Sequence, residues 1–187
     1  WNVTIMTSDL SEETLETKHV FHGRLLNLVV DTVRLPNGTI TNREIVQHPG
    51  ASAIVPILAD GQVVLIRQFR KPTNEHLLEI PAGTLEPGEE PEHCAYRELT
   101  EETGFNAGKL RKLPPFYLAP GYSSEIIHIF IATDLTLKKN NLEDDEMLEV
   151  ITLPFLEAIG LIDSGQIIDS KTIAGLLMAH RLHNQNK

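Results

Sequence analysis

Strands and helices that mix along the chain without regular alternation predict an α/β fold of the α+β kind, built on a mixed sheet rather than a doubly wound one. Three observations carry this expectation. β-like runs dominate the chain up to Ile80, a helix with marked ends begins at Pro91, and two helical patterns close the sequence. The 187 residues, 41% of them hydrophobic, suit one domain or one domain with a small appendage, and they suffice for a core without staples.

The start, Trp1 to Glu16, is polar and acidic, unlike a signal or transit peptide. Two β-like runs follow, Leu25 to Arg34 and Thr39 to His48, on either side of Leu35-Pro36-Asn37-Gly38. Asn-Gly between β-branched runs is a strong hairpin signal. The break His48-Pro49-Gly50 then divides the chain into a small antiparallel β-hairpin unit, residues 1–48, and a main domain, residues 49–187. Ala51 to Leu58 and Val63 to Phe69 read as strands joined at Asp60-Gly61. A short strand, His76 to Ile80, leads into Pro81-Ala82-Gly83 and a loop with Pro87-Gly88.

A helix is expected over Pro91 to Thr103. Proline suits its first turn, and Gly104 suits the left-handed residue that ends it. Glu125 to Thr133 reads as a buried strand and Met147 to Leu153 as an apolar one. Helical patterns occupy Pro154 to Ser164 and Ser170 to His183, the last with Leu176, Leu177, His180 and Leu182 on an apolar stripe.

Composition narrows the partners. With 26 Asp+Glu against 16 Lys+Arg the net charge is −10, which repels phosphate backbones and argues against a nucleic-acid partner. No run approaches the roughly 18–20 apolar residues that span a bilayer, so no membrane partner is expected. The single cysteine, Cys94, excludes an internal disulfide and a multi-cysteine zinc site, and a cytoplasmic setting follows as the expectation.

The chemistry sits between Gly83 and Phe105, GTLEPGEEPEHCAYRELTEETGF. On a helix Glu98, Glu101 and Glu102 stand at i, i+3 and i+4 and share one face. Like charges so spaced destabilise a helix by about 0.2–0.5 kcal/mol per pair, so something should offset them. Clustered oxygens without a Cys or His ligand pattern suit a hard cation, most simply Mg²⁺. Arg97, four residues before Glu101, is placed to orient or partly neutralise the cluster. Three helical glutamates alone are most often a solvated face; the two glycine-containing turns and the strand ahead of them favour a site.

This stretch resembles the Nudix box: glycine, five residues, Glu, seven residues, Arg-Glu, an apolar residue, any residue, Glu-Glu, any residue, Gly and an apolar residue. Gly83, Glu89, Arg97, Glu98, Leu99, Glu101, Glu102, Gly104 and Phe105 meet all nine constrained positions over 23 residues. The resemblance implies a hydrolase of a nucleoside diphosphate linked to another moiety. It also implies a Nudix-type α/β/α sandwich around a mixed sheet, with residues 83–105 as a loop–helix–loop. Glu98 and Glu102 match the carboxylates that bind Mg²⁺, with Mn²⁺ left open. Glu101 is counted among the catalytic carboxylates as a further ligand. Ala82 matches a position whose carbonyl completes the coordination, while Gly83, Glu89 and Arg97 hold the loop and orient the carboxylates.

Outside the box, Pro120 lies fifteen residues beyond Phe105, inside Ala119-Pro120-Gly121-Tyr122-Ser123-Ser124-Glu125. With Gln68-Phe69-Arg70-Lys71-Pro72, Glu79-Ile80-Pro81-Ala82-Gly83 and the hairpin followed by Arg43-Glu44, it resembles the ADP-ribose pyrophosphatase branch from about Phe21 to the last helix. Taken alone, Pro120 reads equally as a turn before a buried strand. Signatures of NADH pyrophosphatases and coenzyme A hydrolases are missing; GDP-mannose hydrolases share much of the architecture and stay as the alternative. A non-catalytic nucleotide-binding module is disfavoured, since no box glutamate is lost.

The branch implies a nucleotide-sugar substrate, a loop glutamate as general base and a homodimer whose N-terminal hairpin completes the partner's site. Glu146, in Glu143-Asp144-Asp145-Glu146, matches the base best, with Asp144 and Asp145 as fallbacks, Glu125 as competitor and a solvated acidic loop as the plain alternative. Arg70 is expected to clamp the diphosphate and Glu44 to accept from an adenine amino group. Arg43 stands where some relatives place tryptophan, and a guanidinium also stacks on a purine. Both arginines read equally as ordinary surface residues.

Overall fold

The chain turns back at Leu35–Gly38 as the Asn-Gly signal requires: Gly38 adopts φ 86° and donates its amide to the Leu35 carbonyl at 2.8 Å. The computed structural model describes residues 9–138 and 147–185. It divides into two compact units. One takes the chain up to His48 together with Ala119–Glu125, and the other takes Pro49–Leu118 and the chain from Ile126 onward.

In the first unit, β1 (Glu13–His22), β2 (Asn27–Arg34) and β3 (Ile40–Gln47) form an antiparallel sheet in that order. Val29 and Val33 alternate onto its buried face. Strand β1, which the reading of a polar, acidic start did not anticipate, is exposed along its whole length and broken by register shifts at Thr14/Glu16 and His19/Phe21. The Pro120 loop belongs to this unit. The Val46 amide donates to Tyr122 O at 2.8 Å, and Val46 O accepts from Ser124 N at 3.0 Å.

In the second unit the chain runs through β4 (Ala51–Pro56), β5 (Gln62–Arg70), β6 (Glu75–Glu79), β7 (Ala82–Thr84) and α1 (Pro91–Thr103). The short β8 (Phe105–Asn106), β9 (Lys109–Lys112) and β10 (Phe116–Tyr117) lead to β11 (Ile126–Thr133). Then come β12 (Thr136–Leu137), β13 (Leu148–Pro154), α2 (Phe155–Asp163) and α3 (Ser170–Gln185). The central sheet is mixed, in the order β10-β11-β4-β7 with β9 also on β11; β4 and β11 run parallel and the other pairs antiparallel. A second, antiparallel sheet has the order β13-β5-β6, and β8 pairs with β12.

The period-two alternation of β4 and β11 builds two cores. Ala53, Val55, Ile127, Ile129 and Ile131 pack with Ala158 of α2 and with Leu176 and Ala179 of α3. Ile54, Phe130 and Ala132 turn to the other side and pack with Ala95 and Leu99 of α1. Helices therefore cover both faces of the mixed sheet, the α/β/α layering expected. Truncating fully buried Leu99 to alanine removes about 2–5 kcal/mol.

Helix α1 has the ends its sequence marks, with Pro91 in the first turn and Gly104 at φ 74° donating to Thr100 O. At the start of α3, Asp169 Oδ2 accepts from the amide and the hydroxyl of Thr172 at 2.9 and 2.6 Å. Among the described residues no helix is long and apolar enough to cross a membrane.

Candidate active site

Strand β7 brings the backbone of Gly83 against α1. A Cβ on Gly83 would fall inside the Glu98 carboxylate, so glycine lets that carboxylate sit here through close approach rather than through a special backbone angle. One turn along, Glu102 is 3% exposed and its Oε2 accepts the Ala82 amide at 2.8 Å. The two carboxylates at i and i+4 are thus drawn onto consecutive residues of β7.

Arg97 holds this constellation together. Its Nε and Nη2 donate to the two oxygens of Glu89 at 3.0 and 2.9 Å. Its Nη1 donates to Glu98 Oε1 at 2.6 Å and Glu101 Oε2 at 3.0 Å, and Nη2 also reaches the Thr84 carbonyl at 3.3 Å. The repulsion among the glutamates is offset in part by this one guanidinium, which they hold firmly charged, with Glu89 the largest influence. Glu89 also accepts the Glu86 amide at 3.0 Å; with the Arg97 bonds leading, its pKa drops to about 2.

Behind the loop, Cys94 Sγ donates to the carbonyls of Gly83 and Thr84. Burial, then the charges of Glu98 and Glu89, pushes its thiol up to about 11, so it is no nucleophile at neutral pH.

The candidate ligands Glu98, Glu101, Glu102 and the Ala82 carbonyl offer oxygen only, which fits a hard divalent ion. Among the described residues no three acidic, His or Cys side chains close into a metal cage. Mg²⁺ does not need one, because it is held through one or two carboxylates together with water and substrate phosphates.

The other residues singled out in the sequence fall as follows. Arg70, at the end of β5, spends its Nε and Nη2 on Glu79, both at 2.7 Å. Arg43 and Glu44 belong to the first unit and, as neighbours in β3, point to opposite faces of its sheet. Arg43 is gripped by Glu12 at 3.0 and 2.6 Å, while Glu44 is exposed. Glu125 lies 3.9 Å from His48 Nδ1. Glu146, Asp144 and Asp145 lie outside the described residues.

Sequence reasoning missed a buried network around Glu79. Lys171 Nζ donates to Glu79 Oε2 and, at 3.0 Å, to Asp169 Oδ2, and Thr172 Oγ1 accepts the Ile80 amide at 2.9 Å. The available signal was Glu79 itself, a carboxylate inside Leu77-Leu78-Glu79-Ile80, which demands a partner once buried.

In the stretch that resembles the Nudix box, a glycine is thus fitted to a helix glutamate that one arginine ties to two further carboxylates, Glu89 and Glu101. Comparison with known proteins gives the family. The NUDIX domain matches residues 46–176, and the nucleoside diphosphate sugar hydrolase N-terminal domain matches residues 12–46. The chain belongs to the Nudix hydrolase family, whose members generally work with a divalent metal. It is 44% identical over 165 residues to an ADP-ribose pyrophosphatase of Bacillus subtilis (strain 168), covering 87% of this chain and 89% of that one. Over 164 residues it is 44% identical to a methanol dehydrogenase activator of Bacillus methanolicus, with the same coverage of 87% and 89%. A GDP-mannose pyrophosphatase of Citrobacter koseri is 37% identical over 173 residues, 87% of this chain and 88% of that one. A crystal structure of an ADP compounds hydrolase aligns with a TM-score of 0.84 at 25% identity, over 96% of this chain and 98% of that one.

Proposed function

We propose that this protein hydrolyses the diphosphate of ADP-ribose, or of a similar ADP-sugar, to AMP and a sugar phosphate. The observation that carries the reading is the seating of Glu98 on Gly83 beside the Glu102–Ala82 bond, with Arg97 tying Glu98 to Glu101 and Glu89. Glu98, Glu102 and the Ala82 carbonyl, with Glu101, would hold the divalent ion, Mg²⁺ first and Mn²⁺ as the alternative. Bound there, the ion supplies neutralisation of the diphosphate and acidification of a water.

The protein's own groups do the rest. Arg97 and Glu89 keep the carboxylates fixed, so that little reorganisation is left for the reaction itself. The N–H groups of Arg70 that Glu79 does not use bind diphosphate oxygens. Glu146 takes a proton from the attacking water, the water oxygen bonds to one phosphorus as that phosphorus loses its bond to the bridging oxygen, and each product keeps one phosphate. Arg43 stacks on the base and Glu44 accepts from its amino group, in a homodimer whose N-terminal units complete the sites. A cytoplasmic setting suits a chain with one buried free thiol.

The second reading is a pyrophosphatase of GDP-mannose or another nucleotide sugar. It draws support from the GDP-mannose pyrophosphatase similarity and from Arg43, which is engaged by Glu12. The test is a hydrolysis panel of ADP-ribose, GDP-mannose, NADH and a diadenosine polyphosphate, with and without Mg²⁺. Fastest metal-dependent release of AMP from ADP-ribose is expected; fastest turnover of GDP-mannose selects the second reading, and no turnover of any substrate overturns both.

A further inference from the structure

Among the described residues Glu79 is the most deeply buried carboxylate of the second unit, 1% exposed, and the chemistry above assigns it no task. Both its oxygens are used, by Arg70 on one edge and by Lys171 on Oε2. Lys171 is itself anchored by Asp169, which caps α3 through Thr172, and Thr172 returns to the amide of Ile80, next to Glu79. The end of β6, the end of β5 and the start of α3 are thereby locked around one carboxylate.

A purely structural role explains this poorly. Buried ion pairs lose much of their attraction to desolvation, and apolar side chains of similar size often hold a core as well. Strands β5 and β6 are already joined through five residue pairs, from Ile66↔Glu79 to Arg70↔Glu75. What the network does accomplish is orientation. Glu79 takes the Nε and Nη2 edge of Arg70, which leaves Nη1 uncommitted to Glu79 on a side chain that stays 37% exposed. The Glu79 bonds are the chief influence that keeps this guanidinium charged, and the box carboxylate Glu102 adds to it.

We propose that Glu79, braced by Lys171, is a positioning residue that mounts the Arg70 guanidinium so that its unspent fork meets the substrate diphosphate. The inference rests on the diphosphate-hydrolase reading. A guanidinium fixed along one edge has little rotamer freedom left to lose on binding, so the mount raises affinity without touching substrate.

The test compares Arg70→Ala, Glu79→Gln and Arg70→Ala/Glu79→Gln with wild type. For each, kcat and KM are measured on the best substrate of the panel, ADP binding by calorimetry, and fold by circular dichroism. Glu79→Gln should lower kcat/KM roughly 10²-fold, the scale of a displaced binding group, and weaken ADP binding in parallel. Added to Arg70→Ala it should cost nothing more. If Glu79→Gln does not fold, Glu79→Gln/Lys171→Met removes both buried charges and carries the same expectation. Wild-type kinetics in the folded variant, or a loss that multiplies that of Arg70→Ala, overturns the mount. If Arg70→Ala is itself silent in kinetics and ADP binding, Arg70 is no clamp and the mount falls with it. A wild-type enzyme that binds ADP but cleaves no panel substrate refutes the functional reading separately.

Discussion

The carboxylate of Glu98 occupies the space that a side chain on Gly83 would fill. Fifteen residues separate the two in sequence, and a strand turn and a helix start bring them into contact. The glycine is therefore part of how the glutamate is aimed.

Gly83→Ala should displace Glu98 and lower kcat roughly 10²-fold, the usual loss when one stabilising group leaves its place. Circular dichroism should stay native, because the clash is met by a side chain. Steady-state kinetics beside Gly83→Ala/Glu98→Gln decide the matter: the double variant should be no slower than Glu98→Gln alone.

Glu98→Gln and Glu102→Gln should each lower kcat by at least ~10²-fold at saturating Mg²⁺. Both remain foldable. In Glu102→Gln the side-chain carbonyl still accepts the Ala82 amide, and Arg97 keeps Glu89 and Glu101 when Glu98 loses its charge. Turnover near wild type in both variants would remove these residues from the metal site.

Glu89 supplies a pH dependence with a definite sign. Its folded-state pKa is depressed to about 2, from an ordinary value of 4.5, chiefly by Arg97. Its ion pair therefore contributes fully above about 4.5 and is lost as the pH falls through about 2. Melting temperatures across that window should fall more steeply for wild type than for Glu89→Gln, which should start lower at neutral pH. Parallel curves would contradict the assignment.

For the general base, Glu146→Gln should cut kcat roughly 10²- to 10⁴-fold while calorimetric substrate affinity holds. Asp144→Asn and Asp145→Asn should be mild. If Glu125→Gln is the crippled enzyme instead, the base is the residue beside His48.

Legibility in the sequence followed the presence of local markers. Helix α1 could be read to its ends because proline and glycine each do something specific there, and the first hairpin because Asn37-Gly38 does. Strand β1 could not, since a ladder exposed along its length carries no in-and-out alternation; its partner β2 is what makes it a strand. The short β8, β9, β10 and β12 are likewise products of pairing rather than of pattern.

In the candidate site, the spacing of Glu98, Glu101 and Glu102 was plain from helical period alone. The partners of Arg70 were not. Glu79 is nine residues away on the neighbouring strand, and Lys171 lies 92 residues beyond Glu79. No local rule reports on contacts made by tertiary closure.

The Pro120 loop has a consequence for synthesis. Val46 finds the carbonyl and amide it bonds in Tyr122 and Ser124, so the N-terminal sheet is incomplete until the polypeptide has grown past residue 125. During translation that edge must wait, through the making of the whole box, for a segment that belongs to it. A ribosome pause or a truncation before Ala119 would thus leave the nascent chain with an unpaired strand end, and the vulnerability lies in the order in which the message is read.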